Sequence, residues 1–389
     1  MKIKSLYFKN GFLGWEVEHI EFQNLNLLVG LSGAGKSQII NALWQLRGIA
    51  LGNMMNNVEW EIKFSIDEIQ YEWKGSFAAT SFDSPNKIKT ESIYVSERLL
   101  IERRNDGLIY IDDHLLLGEQ TTTTRATTPE GLLFQIYKFE DIILIVNHFR
   151  MMNLRDHTES QADIFTDFYS LRFRYASVSR KLSSYLDLTQ LIDRYPNTNL
   201  SLEELRNSRF NIAERLLIAY KKRATDLMVF DDIVDEVKSI FSEIEEWAIE
   251  EQTNKDTEGG QIAYKIKIHG QRQFIQHRNI ASGMLRTFNI IADLYLSNSE
   301  TVFLLDEFEN SLGHNCLPEL EDLIIEHSIR SQFIITSHHP DIINKIPRDN
   351  WIIIERENGS IHNRNANSLG FNKSLHEPYL ILTNHFDRQ

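Results

Sequence analysis

The eight residues from Gly30 to Ser37, Gly-Leu-Ser-Gly-Ala-Gly-Lys-Ser, constrain this chain more than any other stretch. They follow the spacing G-x-x-x-x-G-K-S, and both flanks have the character that this spacing needs. Leu25-Asn26-Leu27-Leu28-Val29 is a short apolar run suited to a buried strand. After the turn, Ile39, Ile40, Leu43, Trp44 and Arg47 recur at helical spacing. A strand, a glycine turn and a helix start present a concave row of backbone N–H groups, and the new helix adds the positive end of its dipole. Such a nest binds phosphate. The spacing sets Gly30, Ser32, Gly33, Ala34, Gly35 and Gln38 around it, with Lys36 reaching the terminal phosphates and the Ser37 hydroxyl placed to ligate Mg²⁺.

With 389 residues there is room for one large domain carrying an insertion, or for two domains. A single cysteine, Cys316, excludes a disulfide framework and fits a reducing cytosol. The opening MKIKSLYF reads as a strand, and the longest uncharged apolar run, Ile142 to Val146, is too short to cross a bilayer. The expectation is a soluble cytoplasmic protein with no membrane partner. A net charge of −14 argues against general adhesion to nucleic acid. The charge is uneven, however. Residues 150–224 hold 13 Lys and Arg against 9 Asp and Glu, which leaves room for a local DNA contact, whereas residues 225–260 hold 2 against 12. That acidic run either docks a basic partner or solvates a helical face.

Along the chain, Ile3, Leu6 and Phe8 lead to a turn at Asn10-Gly11, then Trp15, Val17, Ile20 and Phe22 mark a second strand. From Val58 to Phe64 apolar residues alternate with Glu59, Glu61 and Lys63, the period of a half-buried strand. Ile69 to Trp73, Ile93 to Val95 and Leu108 to Ile111 continue a meander, and the polar, turn-rich residues 118–131 read as a loop. A helical pattern runs from Leu132 to Asn211, broken near Tyr195-Pro196-Asn197, and again from Asn211 to Trp247. Without sustained heptads this is a compact helical insert and not a coiled-coil arm. Two strands follow, Ile262 to Ile268 and Gln273 to Gln276, then a helix from Ser282 to Leu296 and a strand from Val302 to Leu305. A helix through Leu317, Leu320, Leu323 and Ile324 leads to a strand from Gln332 to Thr336. A short helix from Pro340, a final strand from Trp351 to Glu355 and a polar tail complete the chain. The pattern is an α/β domain in two parts, 1–131 and 261–389, interrupted by a helical insert at 132–260.

A phosphate loop needs a partner carboxylate, and Thr301-Val-Phe-Leu-Leu-Asp306-Glu307 supplies one. Asp306 at a strand's C-terminal edge would hold Mg²⁺, and Glu307 would orient and deprotonate an attacking water. Ala281 to Arg286 opens a helix, where the Ser282 hydroxyl and the Gly283 backbone offer a second anion site. One chain already has its phosphate loop, so a second site makes sense if it caps the nucleotide of another subunit. Glu309-Asn-Ser-Leu312 follows Glu307, and Phe333-Ile-Ile-Thr-Ser-His338 puts a histidine where it can sense a terminal phosphate. His339 has no assigned role. Phe288, Ile291 and Tyr295 read as helix core, and Cys316 as buried and inert.

This order of loop, serine-glycine helix, strand ending in Asp-Glu, Glu-Asn-Ser-Leu and strand ending in Thr-Ser-His resembles the ABC-type ATPases. Within them it looks most like the SMC/RecF/OLD branch, over residues 1–50 and 275–356 and loosely over 90–155. Ser32 stands where that branch often has Asn, and Ala281-Ser-Gly-Met-Leu differs from the Leu-Ser-Gly-Gly-Gln of transporters. The branch's Mg²⁺-sensing glutamine is not placed by its motif; Gln135 is the candidate. The resemblance implies an ABC-ATPase head of P-loop α/β fold, with an N-terminal β-meander and an inserted helical subdomain, that hydrolyses ATP with Mg²⁺. It further implies an ATP-dependent homodimer or higher oligomer, with Lys36, Ser37, Asp306, Glu307 and His338 of one chain facing Ser282 and Gly283 of the other. Three uses compete: an ATPase subunit of a bacterial anti-phage defence or DNA-surveillance module that gates a separate effector such as a nuclease; a RecF-like repair factor that binds duplex DNA directly; and, outside this class, a P-loop kinase for a small molecule.

Overall fold

The computed structural model describes residues 1–50, 53–66, 68–79, 88–103, 108–111, 122–125, 153–155, 180–182, 201–207, 212–223, 227–253, 260–299, 301–310 and 312–366. In chain order the elements begin β1 (Lys2–Asn10), β2 (Trp15–Glu21), β3 (Leu25–Val29), α1 (Lys36–Ala50), β4 (Val58–Ile66), β5 (Ile69–Phe77) and β6 (Ile88–Val95). Next come β7 (Arg98–Arg103), β8 (Leu108–Ile111), β9 (Thr122–Arg125), β10 (Asn153–Arg155), β11 (Arg180–Leu182), α2 (Leu202–Asn207), α3 (Ile212–Lys222) and α4 (Val229–Ile240). The next are β12 (Ile244–Thr253), β13 (Gly260–Ile268), β14 (Ile275–Gln276), α5 (Ser282–Leu296), β15 (Val302–Leu305) and α6 (Leu317–His327). The last are β16 (Gln332–Thr336), α7 (Pro340–Lys345), β17 (Trp351–Glu357) and β18 (Ser360–Asn365). These elements form two compact units. One comprises Met1–Leu154, Glu300–Asp306 and Ser328–Gln389, the other Arg155–Ser299 and Glu307–His327.

The first unit is built on one large sheet, ordered β10-β15-β16-β3-β17-β18-β2-β1-β4-β5-β6-β7-β8-β9. Its parallel part sets β3 between β16 and β17, with Ile335 opposite Leu27 on one side and Ile353 opposite Val29 on the other. All five residues of β3 are buried, as are those of β16. That is the continuous apolar run expected of parallel strands covered on both faces. The antiparallel part keeps the alternation seen in the sequence: Val58, Trp60, Ile62 and Phe64 are buried, while Glu59 and Lys63 face solvent. Gln332, at the start of β16, ties that strand to β1. Its side-chain amide donates to the Ile3 carbonyl at 2.7 Å and accepts from the Ile3 N–H at 2.7 Å, imitating a rung of backbone pairing.

Within the meander, Trp60, Gly75, Glu91 and Arg103 lie directly opposite one another on four successive strands. The missing side chain at Gly75 is what admits the Trp60 ring, which a β-carbon at Gly75 would overlap. That ring packs in turn on Trp73 and Phe77. Glu91, also buried, accepts from the Trp73 indole N–H at 2.9 Å, and burial pulls the Arg103 guanidinium below its usual pKa although the Glu91 charge opposes this. Overpacking such a site costs about 1–3 kcal/mol. Gly75→Ala is therefore expected to lower the denaturation midpoint, while Ser76→Ala next to it leaves the midpoint in place.

The second unit packs α5 against α3, α4 and the sheet ordered β11-β13-β12, with β14 on β13. Phe288 on α5 is its hub, stacked on Trp247 with ring centres 4.2 Å apart and touching Tyr264 at 5.0 Å. Ile291 is buried beside it and Tyr295 half-buried, so this face of α5 is core, as its spacing implied.

Several sequence expectations are corrected here. Trp247 does not end a helix: α4 stops at Ile240 and Trp247 lies in β12, paired with Ile266. The run expected to be helical from Leu132 to Asn211 includes the short strands β10 and β11 as well as α2. Within 118–131, expected to be a loop, Thr122–Arg125 pairs with β8. Trp351–Glu357 is not the final strand, since β18 folds back on it, and β7 was not anticipated at all. Gln135 and the polar tail beyond 366 lie outside the described residues.

Candidate functional site

The Gly30–Ser37 loop leaves the C-terminal edge of β3 and turns directly into α1, which begins at Lys36. Gly35 takes φ +106°, a conformation that other residues rarely adopt, and a β-carbon there would sit 2.6 Å from Ile361 Cδ1 of β18. The backbone closes on itself: the Ala34 N–H donates to the Leu31 carbonyl at 3.1 Å, and the Gln38 N–H to Gly35 at 3.0 Å. Ser32 and Gly33 are exposed, whereas Ala34, Gly35 and Lys36 are buried. The Lys36 ammonium folds back over the loop, donating to the carbonyls of Gly30 at 2.7 Å and Leu31 at 3.0 Å.

Across from the loop, β15 ends at Leu305 and delivers the buried Asp306. Asp306 Oδ1 accepts from Ser37 Oγ at 3.0 Å and from Thr336 Oγ1 at 2.6 Å. Two residues 269 positions apart thus meet in one hydrogen bond. Thr336 had no role in the sequence reading. Its signal was there, a hydroxyl at the end of an otherwise aliphatic buried strand. A hydroxyl beside a carboxylate is the hard oxygen set that suits Mg²⁺, so Ser37 and Asp306 fit that ion. The buried side-chain oxygen of Gln38, the residue after Ser37, has no hydrogen-bond partner among the described residues. Next to the loop opens a cavity of about 850 Å³, lined by Leu31, Ser32, Ile354, Arg356, His362 and Arg364 among others. Two polar contacts line it: His362 Nδ1 lies 2.8 Å from Glu18, and Arg364 pairs with Glu355 at 3.3 Å. His338 is exposed immediately beyond β16, and His339 precedes α7 with its ring nitrogen 3.7 Å from Asp341.

Glu307 opens the second unit's segment and is itself in the left-handed region, with φ +44°. The Asn310 side-chain amide donates to its carboxylate, and the Asn310 backbone N–H donates to its carbonyl at 2.9 Å. Phe308 is buried, and Arg286 Nη2 donates to its carbonyl at 3.0 Å. Arg286 stands four residues beyond Ser282 on α5, so the helix that begins with the serine-glycine pair also grips the turn bearing Glu307. Ser282 is exposed and Gly283 half-buried at the start of that helix. Sequence reading noted Arg286 and Asn310 only as letters of their motifs.

The model of the family described as "AAA domain, putative AbiEii toxin, Type IV TA system" matches residues 25–344. The chain belongs to that family. It is a P-loop ATPase. Comparison with curated proteins gives no match. Among solved structures, the chain is similar to an Smc head domain from Pyrococcus furiosus, with an extended coiled coil and bound to the C-terminal domain of ScpA. That likeness has 15% identity and a TM-score of 0.45, over 95% of this chain and 98% of that one. It is also similar to an SMC head domain from Thermotoga maritima, at 12% identity and TM-score 0.38, over 94% of this chain and 99% of that one. Among the described residues, no helix of this ATPase is long and apolar enough to cross a membrane.

Proposed function

We propose that this ATPase binds ATP with Mg²⁺ in the Gly30–Ser37 loop and closes as a dimer around two nucleotides. Hydrolysis reopens it, and the cycle gates a separate effector in anti-phage defence or DNA surveillance. The observation that carries the nucleotide reading is the 3.0 Å bond from Ser37 to Asp306, which brings loop and acidic strand to one point. When bound, Mg²⁺ would neutralise phosphate charge, held by Ser37 and Asp306. Lys36 exchanges the Gly30 and Leu31 carbonyls for phosphate oxygens, which attract its ammonium more strongly. The cavity beside the loop takes the nucleoside half. Glu307 accepts a proton from water as the water oxygen bonds to the γ-phosphorus. The bond to the bridging oxygen breaks, and its electron pair leaves on ADP. His338 senses the γ-phosphate.

The dimer reading rests on Ser282 and Gly283, which offer anion-binding groups at the exposed start of α5 in a chain that already has a phosphate loop. The family's printed description, a putative toxin of a type IV toxin–antitoxin system, supports a defence role over housekeeping repair. Residues 132–260 serve as the lobe that meets the partner, with the acidic run at 225–260 suited to a basic surface. Native mass spectrometry of Glu307→Gln, isolated from its own host with ATP and Mg²⁺, tests this. Two copies with a second protein are expected. Two copies carrying only DNA would favour direct DNA repair, and a monomer at saturating ATP would overturn the dimer.

A further inference from the structure

The turn after Asp306 is held more tightly than a strand-to-helix connection requires. Glu307 sits at φ +44°, where a β-carbon crowds the following carbonyl, so something must keep it there. Two bonds to backbone carbonyls account for the turn itself: the Asn310 backbone N–H to the Glu307 carbonyl at 2.9 Å, and the Arg286 side-chain Nη2 to the Phe308 carbonyl at 3.0 Å. The buried ring of Phe308 anchors the middle of the segment. The Asn310 side chain adds a third bond, and it goes to Glu307 Oε2. This bond is not needed to close the turn, which the Asn310 backbone N–H and the Arg286 side chain already hold. Asn310 is exposed, so its side chain is not there to fill the core.

We propose that Asn310 is a positioning residue for hydrolysis: its amide fixes the plane of the Glu307 carboxylate that receives the proton of the attacking water. The proposal rests on the reading of Glu307 as that base. A glutamate has three side-chain torsions to settle, and a donor fixed by the same turn removes most of that freedom before substrate arrives. The effect belongs to the chemical step. Its loss therefore lowers kcat without changing how ATP is held.

Three substitutions separate this role from a structural one. Asn310→Leu keeps the size and removes the donor, Asn310→Asp keeps the shape and sets a second carboxylate against the first, and Asn310→Gln keeps an amide. Loss of a hydrogen bond to a charged group predicts a fall in kcat of roughly 10–100-fold for the Leu variant. The Asp variant is expected to fall further, and Gln to recover most of the rate. KM for ATP and the melting temperature stay at their parental values in all three. In a Glu307→Gln background, Asn310→Leu has no further effect in single-turnover assays, because the group it positions is gone. A Leu variant with parental kcat, or one that loses rate equally in both backgrounds, overturns the proposal. So does a loss carried by KM or by melting temperature. If Glu307→Gln alone turns over normally, the assignment of the base has failed. If it is inactive while Asn310→Leu is normal, only the positioning role has failed.

Discussion

Glu307→Gln is expected to lower ATP turnover by about 10²–10⁴-fold, the range spanned by loss of a positioned general base, while ATP affinity stays within about threefold. The substitution preserves length and shape, and Lys36, Ser37 and Asp306, which hold the phosphates and Mg²⁺ in the proposed mechanism, are untouched. Only the capacity to take a proton disappears. Phosphate release measured alongside nucleotide titration separates the two quantities. If closure depends on bound ATP and opening on hydrolysis, the variant accumulates as a closed dimer, visible by light scattering as a doubling of mass that ADP reverses. Turnover within tenfold of the parent would remove Glu307 from the proposed mechanism.

Lys36→Ala is expected to act on the other quantity. Charge-assisted hydrogen bonds contribute about 1.5–3 kcal/mol each, so losing two phosphate contacts weakens ATP binding by roughly 10²–10⁴-fold. Calorimetric titration should show the loss directly. The lysine also has a role in the nucleotide-free chain, because its ammonium satisfies the carbonyls of Gly30 and Leu31. Removing it is therefore expected to lower the melting temperature of the free protein as well. Affinity equal to the parent's would place the phosphates somewhere other than this loop.

The two parts of the candidate site differed in how legible they were. Loop, acidic strand and serine-glycine helix could be read because each combines a local backbone demand with a fixed spacing. Only a glycine suits φ +106° at position 35, and only a buried apolar strand brings Asp306 to the sheet's edge. Helix α5 and strands β15 and β16 fall at the bounds their periodicity indicated. The misses share a different cause. Ser360-Ile-His-Asn-Arg-Asn365 has a single aliphatic residue and little intrinsic preference for a strand, yet β18 is paired on one side by β17 and on the other by β2. Trp247 follows an amphipathic helix and stands among glutamates that strands disfavour. Pairing with β13 and stacking on Phe288 decide its conformation. Thr336 and Arg286 escaped notice for a related reason: their partners are atoms of Asp306 and Phe308, 30 and 22 residues away, which no spacing rule connects to them.

The placement of β3 has a consequence for how the protein is made. Its hydrogen-bonded neighbours are residues 332–336 and 351–357, so the loop's framework has no local partner when it leaves the ribosome. At ordinary synthesis rates of about 5–20 residues per second, some 300 further residues take roughly 15–60 s to appear. During that interval the phosphate loop exists as sequence but lacks the sheet that shapes it. Nascent chains should therefore show no nucleotide-dependent protection from protease until β17 has emerged, and chains stalled before β16 should leave β3 exposed as a sticky apolar segment. Competence to bind ATP thus arrives late in translation and all at once, so truncated products of this ATPase would have no working phosphate site.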